Sequence, residues 1–349
     1  MIFSKILMNW YKTNSRNLPW RETKEPYNIW LSEIILQQTK VKQGLPYYIK
    51  FIKEFPTIYD LANSKEEIIF KLWQGLGYYS RAQNLHLTAK RVVKEYNGIF
   101  PKSYDELKTF KGIGDYTASA IASICFDIPE AVVDGNVFRF LGRYFGIKTP
   151  INSSKGFKLF KTKANKLIKG QSPGDFNQAL MDFGSIQCKP KSPECSKCVF
   201  SLKCYAVLHQ KVEFYPVKTI NLKIKTRYFN YIVIYNPRKQ TVLEQRDSKG
   251  IWRKLYQFPM IESKKTLETP TDEFQKIISK YSKETPFKID SILKGPISQR
   301  LSHQKLIIQF WKVKLSDKSN LPIEEKDIFS YAVPSVIEKF MTQFYKTLT

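Results

Sequence analysis

The sequence predicts a mainly α-helical N-terminal part that ends in a four-cysteine loop, followed by an α+β C-terminal part. Its 349 residues are enough for two hydrophobic cores. Apolar residues recur at helical spacing up to about residue 205, whereas β-favouring runs begin at Arg227. Four cysteines lie at the end of the helical part, within residues 188–204, a segment here called the cysteine loop.

Short turns containing Gly or Pro, such as those at 75–78 and 97–101, divide the helical part. The apolar spacing predicts helices over 27–41, 58–73, 80–96, 104–111, 116–126, 136–145 and 154–169.

A Lys-rich stretch with weak periodicity, 209–226, is predicted to be a basic linker. After it, the pattern predicts strands over 228–235, 240–246, 255–261 and 305–315, and helices over 272–282 and 334–346.

The chain is strongly basic, with 57 Lys and Arg against 31 Asp and Glu and a net charge of +26. Both parts share the excess, since residues 226–349 hold 22 basic and 13 acidic residues. A polyanion such as nucleic acid is the leading partner, although a Lys-rich proteome gives the same bias. No apolar run is long enough to span a membrane and no secretory signal pattern is present, so we expect a cytosolic protein.

The cysteines Cys188, Cys195, Cys198 and Cys204 follow a C-x6-C-x2-C-x5-C spacing. Four thiolates suit zinc or an iron–sulfur cluster, and free buried thiols are the alternative. A zinc ribbon usually has two C-x2-C knuckles, so the single knuckle favours a four-iron cluster. With every ligand position filled, such a site is structural, and the nearby lysines suit phosphate contacts.

A glycine turn, Gly112-Ile113-Gly114, separates two predicted helices. Gly112 and Gly114 allow close backbone approach, and the following helix N-terminus offers free N–H groups to an anion. This geometry suits a DNA phosphate, although an ordinary helical hairpin has the same pattern.

Two carboxylates stand in unusual places. Glu33 lies among apolar residues of the 27–41 helix, where burial would raise its pKa as a general acid requires, unless it faces solvent. Asp134 follows an apolar run and precedes Gly135, so it is either a helix cap or a functional charge. Gln37 and Gln38 offer amides that could enter a DNA minor groove.

Taken together and in order, seven segments and the cysteines resemble the adenine DNA glycosylase (MutY) family of helix-hairpin-helix iron–sulfur glycosylases. The segments are LPWR (18–21), WLSEIILQQT (30–39), LWQGLGYYSRAQNL (72–85), GIGDYTASAI (112–121), DGNVFR (134–139), FNQALMDFG (176–184) and GIWRKLYQFPMIE (250–262). The resemblance implies a glycosylase domain over 1–208, the linker over 209–226 and a Nudix-like recognition domain over 227–349.

The resemblance also implies a mechanism. Glu33 would protonate N7 of an adenine mispaired with 8-oxoguanine or guanine, and ionised Asp134 would stabilise the resulting sugar cation. Asn136 would orient the Asp134 region. Tyr116 occupies the position where related lyases carry a nucleophilic lysine, so it would shape the adenine site of a monofunctional enzyme.

The adenine must leave the base stack before reaction. By resemblance, Leu18, Trp20, Arg21 and Gln178 would line its pocket. Gln38 and Tyr78 would fill the gap in the duplex or wedge the opposite strand.

In the C-terminal part, the predicted helix at 271–282 lacks the carboxylates of a working Nudix hydrolase, so we expect no pyrophosphatase activity. By resemblance, Ser302 and His303 would read 8-oxoguanine, next to Leu301 where the family often has Phe.

The expected partner is duplex DNA with adenine opposite 8-oxoguanine or guanine, bound by a monomer that carries a [4Fe–4S] cluster and does not contact a membrane. Three alternatives stay open: a thymine–guanine mismatch glycosylase, a non-catalytic DNA-binding module and a zinc-binding regulator.

Overall fold

The structure, a computed structural model, describes residues 2–219, 224–247, 250–283, 287–292, 295–301 and 303–346. The chain forms two compact units, Met1–Ser64 with Asn84–Ile220, and Lys65–Gln83 with Asn221–Thr349. The predicted fold class is confirmed: the first unit is helical and the second is α+β. The predicted domain boundaries at 208 and 227 stay predictions. In the structure, the second unit also includes residues 65–83, which the prediction placed in the N-terminal domain. Within the ranges given above, no helix is long and apolar enough to cross a membrane.

Helices make up most of residues 2–219. These helices are α1 (Ile2–Asn14), α2 (Pro26–Leu36), α3 (Val41–Glu54), α4 (Ile58–Asn63), α5 (Glu66–Trp73), α6 (Ser80–Tyr96), α7 (Tyr104–Leu107), α8 (Asp115–Phe126), α9 (Gly135–Phe145), α10 (Ser154–Ile168), α11 (Pro173–Ile186) and α12 (Tyr205–Leu208). Single 3-10 turns lie at Pro19–Arg21, Cys195–Lys197 and Ser201–Lys203.

Three predicted helices differ from the structure: two end early and one is divided. The helix predicted over 27–41 stops at Leu36, because Gln37 is extended and Gln38 is left-handed with φ 56°. The helix predicted over 58–73 is two helices, since Ser64 adopts an extended conformation after α4. The helix predicted over 104–111 ends at Leu107.

The second unit is built on a seven-stranded mixed sheet in which most neighbours are antiparallel. Its strands are β1 (Lys225–Tyr235), β2 (Gln240–Thr241), β5 (Met260–Ser263), β6 (Ile289–Ser291), β7 (Ile297–Arg300), β8 (Gln304–Lys314) and β9 (Ile323–Glu324), and β3 (Glu244–Gln245) pairs with β4 (Tyr256–Gln257) apart from it. The central pair, β1 and β8, is parallel and runs from Lys225 opposite Gln304 to Tyr235 opposite Lys314.

Alternation along β1 gives the sheet two apolar faces. Phe229, Tyr231 and Val233 face a core that includes Phe340 of α14 (Ser335–Lys346). Ile232 and Ile234 face a second core, which includes side chains of α13 (Asp272–Ile278). Helices therefore cover both faces. The strand predicted over 240–246 is two short strands, and the helix predicted over 272–282 ends at Ile278.

The predicted linker is ordered in part. Tyr215 is buried, and its carbonyl oxygen accepts a hydrogen bond from Arg143 Nε at 3.2 Å. This part of 209–226 is therefore packed on α9, and β1 begins at Lys225.

Candidate active site

Glu33 lies on α2, a helix whose residues 29–35 are all buried. Burial raises the pKa of Glu33 to about 7, and the negative charge of Asp134 adds to the rise. A hydrogen bond from Tyr116 and the charge of Arg21 act in the opposite direction. The predicted pKa rise is confirmed, so near neutral pH this carboxyl group holds a transferable proton.

Asp134 is the N-cap of α9. Its Oδ1 accepts hydrogen bonds from the backbone N–H groups of Asn136 at 2.9 Å and Val137 at 2.8 Å, and its Oδ2 accepts one from Asn136 Nδ2 at 2.8 Å. Burial raises the pKa of Asp134, and these three hydrogen bonds oppose the rise. Three donors and a helix N-terminus favour the ionised carboxylate. Asp134 is therefore a helix cap, and its role as a functional charge stays a prediction.

Both carboxylates open onto one cavity of about 610 Å³ within the first unit, although they are 101 positions apart in sequence. Nine of the predicted site residues line it: Leu18, Trp20, Arg21, Glu33, Gln38, Tyr116, Asp134, Asn136 and Gln178. The fold thus brings a carboxyl that can be protonated and a stabilised carboxylate to one chamber.

Tyr116, on α8, places a phenol in the cavity. Its hydroxyl donates to the Met181 sulfur at 3.0 Å and also interacts with the Glu33 carboxyl. Burial and the neighbouring carboxylates raise the pKa of Tyr116 well above its ordinary value, so it stays neutral. This position therefore supplies a hydrogen-bond donor and no amine.

The cavity wall combines apolar and polar groups. Leu18 and Trp20 are buried beside the 3-10 turn, and the Trp20 ring meets Tyr48 edge to face at 5.0 Å. On α11, Gln178 Oε1 accepts a hydrogen bond from Tyr11 at 2.7 Å, so its amide nitrogen remains as a donor. A flat wall with a few oriented donors suits a heteroaromatic base.

The glycine turn Gly112-Ile113-Gly114, which together with its flanking helices α7 and α8 is here called the hairpin, lies outside the lining of this cavity. Gly112 has φ 79°, which favours glycine, and a Cβ there would lie 2.9 Å from Asn84 Cβ. Gly114 is the N-cap of α8. Gln37 Nε2 donates to the Gly112 carbonyl at 3.3 Å and to Thr117 Oγ1 at 3.2 Å, so its amide binds the hairpin.

Three predicted residues belong to other parts of the chain. Tyr78 is about half exposed, with φ 49°, and falls in the second unit. His303 is exposed in the second unit. Ser302 lies outside the described residues.

The four cysteines of the cysteine loop are reduced and half-buried. Cys188 follows α11, and Cys195, Cys198 and Cys204 lie at the ends of the two 3-10 turns of the loop. Among the described residues, no three His, Cys, Asp or Glu side chains are grouped to hold a single metal ion. A donor set made only of sulfur, shielded in part from water, fits an iron–sulfur cluster chemically.

Two arginines of α9 fasten this loop. Arg143 donates to the carbonyl oxygens of Lys189 at 2.7 Å and Pro190 at 3.1 Å, and its Nη1 lies 3.5 Å from Cys188 Sγ. Arg139 Nε donates to the Cys188 carbonyl at 2.7 Å.

Arg139 also contacts the N-terminal end of α9, next to Asp134. Its Nη2 donates to Asn136 Oδ1 at 2.8 Å and to the Gly184 carbonyl at 2.5 Å. Asn136 in turn donates to Asp134, so one set of hydrogen bonds runs from the cysteine loop to the carboxylate.

Sequence reasoning missed Arg16, Arg139, Met181 and Asp182. Each lies in or beside a motif that was singled out. A polar residue in the apolar run FNQALMDFG, four positions after Gln178, was the available signal for Asp182.

Known families cover most of both units. Residues 31–166 match the family described as HhH-GPD superfamily base excision DNA repair protein, and residues 230–343 match the NUDIX domain family.

Several proteins are similar along the chain. The adenine DNA glycosylase of Buchnera aphidicola subsp. Schizaphis graminum is 35% identical over 356 residues, which cover 98% of this chain and 99% of that protein. That of Buchnera aphidicola subsp. Baizongia pistaciae is 41% identical over 262 residues, 74% of each chain. The human adenine DNA glycosylase is 40% identical over 220 residues, 60% of this chain and 40% of that protein.

Solved structures resemble the helical part. A thermostable thymine-DNA glycosylase is 31% identical with a TM-score of 0.56, covering 60% of this chain and 96% of that one. A non-covalent endonuclease III–DNA complex, 20% identical with a TM-score of 0.53, covers 60% of this chain and 95% of that one and shares the fold.

The crossing of α11 and α9 requires Gly184. A Cβ there would lie 2.7 Å from the Asn136 carbonyl oxygen, and backbone cannot yield as a side chain can. We expect Gly184→Ala to lower the free energy of unfolding by about 1–3 kcal/mol. Because the substitution displaces Asn136 and Asp134, it should also lower the single-turnover rate of the reaction at this site about 100-fold.

Denaturant unfolding and a single-turnover assay measure the two effects. Gly142→Ala is the matched control on α9, since a Cβ there has ordinary contacts of 3.5 Å or more. Equal activity of the two variants would show that the Gly184 crossing does not position the carboxylate.

Proposed function

The chain belongs to the adenine DNA glycosylase family, and from that premise we propose that it hydrolyses the N-glycosidic bond of adenine mispaired with 8-oxoguanine or guanine in duplex DNA. It acts in base excision repair, in the cytosol, as a monomer. One observation carries the proposal: Glu33 and Asp134, both buried, open onto the same cavity, and Asp134 accepts three hydrogen bonds that favour its anion.

The hydrogen-bond partners of the two carboxyl groups set their roles. Burial raises the pKa of both groups, but Asp134 accepts three hydrogen bonds that favour its anion, whereas Glu33 accepts one from Tyr116. Pairs of carboxylates with separated protonation states are typical of glycosidic bond cleavage.

The reaction follows from these roles. Glu33 gives its proton to N7 of the extruded adenine, which makes the base a better leaving group. As the C1′–N9 bond breaks, the sugar gains positive charge and ionised Asp134 stabilises it. A water molecule adds at C1′ and gives a proton to the Glu33 carboxylate, which leaves an abasic site and free adenine and restores the acid.

Tyr116 accounts for a monofunctional enzyme. A lyase needs an amine at the sugar carbon to form a Schiff base, and a neutral phenol cannot form one. The Tyr116 hydroxyl instead holds the Glu33 carboxyl and the face of the base pocket.

DNA binding is assigned to groups other than the two carboxylates. The backbone at Gly112 and Gly114, at the start of α8, would bind a phosphate of the substrate strand. Gln38, exposed at the cavity rim, would enter the duplex, and Gln37 would hold the hairpin in place. Tyr78, also exposed, would wedge the opposite strand.

The four cysteines of the cysteine loop would hold a [4Fe–4S] cluster, supported by their all-sulfur donor set and by Arg143 beside Cys188. When bound, the cluster supplies a structural cross-link with no open coordination position. Purified protein is therefore expected to be brown and to contain iron and sulfide. A colourless protein containing one zinc ion would contradict this assignment.

The second unit would read the lesion. Ser302 and His303 would contact 8-oxoguanine; His303 is exposed just before β8. Half-buried Leu301 follows β7 and packs on the core of this unit.

Thymine excision is the second candidate, because a thymine-DNA glycosylase is 31% identical over 60% of the chain. Similarity to an adenine DNA glycosylase extends over 98% of the chain, including the second unit, and favours adenine.

The deciding assay uses three duplexes, with adenine opposite 8-oxoguanine, adenine opposite guanine, and thymine opposite guanine. We expect strand cleavage of the two adenine duplexes only, faster for 8-oxoguanine, and only after alkali, because a monofunctional enzyme leaves an intact abasic strand. Cleavage of the thymine strand, or cleavage without alkali, would contradict the adenine and monofunctional assignments respectively.

The same assay tests lesion reading. Combined Ser302→Ala and His303→Ala should reduce the preference for 8-oxoguanine over guanine and leave excision opposite guanine intact. An unchanged preference would exclude these residues from lesion recognition.

The pH dependence of single-turnover excision should report Glu33. Its pKa is raised to about 7 and the protonated form is active, so the rate should fall about tenfold per pH unit above neutrality. Glu33→Gln removes the proton donor and should abolish excision while duplex binding persists. Glu54→Gln, an exposed matched control, should retain the native profile. A rate in Glu33→Gln close to that of the native enzyme would refute the acid role.

A further inference from the structure

Asp182 is a fully buried carboxylate on α11 that the mechanism above does not use. Two arginines from the segment between α1 and α2 converge on it. Arg21 contributes Nη1 at 2.7 Å and Nη2 at 2.9 Å, and Arg16 contributes Nε at 2.8 Å, its Nη2 and its backbone N–H at 3.3 Å. Both arginines line the active-site cavity.

We propose that Asp182 is a positioning residue of the excision reaction, which holds the Arg21 guanidinium against the cavity wall and cancels arginine charge that would otherwise favour ionisation of Glu33. This inference rests on the proposed role of Glu33 as the acid.

Asp182 fixes the direction of Arg21. The two guanidinium nitrogens form a bidentate pair with the carboxylate, and Nη1 also donates to the Arg16 carbonyl at 3.2 Å. Among the described residues, the Nε–H and one Nη2–H of Arg21 have no acceptor. Because the side chain is 11% exposed and lines the cavity, these N–H groups are available to ring nitrogens of a base.

Asp182 also sets the local charge. Asp182, Arg16 and Arg21 together carry one net positive charge. Without the Asp182 carboxylate the two arginines would carry two positive charges. Burial raises the pKa of Asp182, but hydrogen bonds and charges from Arg21 and Arg16 outweigh burial and lower the pKa overall, so Asp182 is ionised at neutral pH. A second uncompensated positive charge beside the cavity would favour the Glu33 carboxylate.

Glu33 meets charged or titratable groups from each element around it. They are Tyr116 and Cys125 on α8, Asp134 at the start of α9 and Arg21 in the 3-10 turn. Arg21 is the positive group that lowers the pKa of Glu33, and Asp182 acts on Glu33 through it.

The test measures the pH dependence of single-turnover adenine excision opposite 8-oxoguanine. Asp182→Asn should move the alkaline fall in rate to lower pH by about 0.5–1 unit, because the added net positive charge favours ionised Glu33. At pH 8 the rate should fall about three- to tenfold, whereas at pH 5.5 it should change little.

Arg16→Gln should shift the pH profile in the direction opposite to that of Asp182→Asn. It removes one positive charge from a side chain that is 31% exposed, so the variant should fold, and the alkaline fall should move to higher pH. The double variant, Asp182→Asn with Arg16→Gln, restores the native net charge. Its pH profile should therefore return towards that of the native enzyme. A purely structural role for Asp182 would make the double variant no better than Asp182→Asn.

Asp127→Asn is the matched control, with the same substitution at an exposed C-cap residue of α8. Its profile should equal the native one. Unchanged profiles in Asp182→Asn and Arg16→Gln would overturn the positioning role while native excision stands. Failure of the native enzyme to excise adenine at any pH would instead overturn the proposed function.

Discussion

The close crossing of α9 and α11 is the constraint on which the site depends. At Gly184 the two helices approach so closely that Asn136 contacts backbone where a side chain would otherwise stand. This contact fixes the start of α9, and with it Asp134. The same α11 supplies Gln178, Met181 and Ser185 to one cavity, so a single helix pair sets both the anionic group and part of the cavity wall.

Hydrogen bonding then differentiates two buried and chemically similar carboxyl groups. The α2 helix offers Glu33 little besides apolar neighbours and one phenol, so desolvation dominates and raises its pKa. Burial also raises the pKa of Asp134, but the start of α9 offers it two backbone N–H groups and an amide, which oppose the rise. The difference between the two groups is therefore a property of the elements that carry them.

Sequence analysis succeeded where a local pattern determined the outcome. An acidic residue within WLSEIIL predicted the pKa rise of Glu33, and runs of β-favouring residues predicted β1 and β8. It failed at ends that Gly or Pro does not mark: α2 stops at Leu36 before two glutamines, one of them left-handed. It also missed Asp182, because its partners Arg16 and Arg21 lie more than 160 positions away. The resemblance supplied most site residues, and their roles remain predictions.

The parallel pairing of β1 with β8 has a consequence for biosynthesis. About 80 residues separate the strands, so the apolar β1 leaves the ribosome and waits about 4–16 s for its partner at ordinary elongation rates. Non-local parallel pairing is also slow to form. The helical unit, whose contacts are more local, can be complete by then. Nascent chains are therefore most exposed to aggregation during synthesis of the sheet, and chaperones would be needed most at that stage.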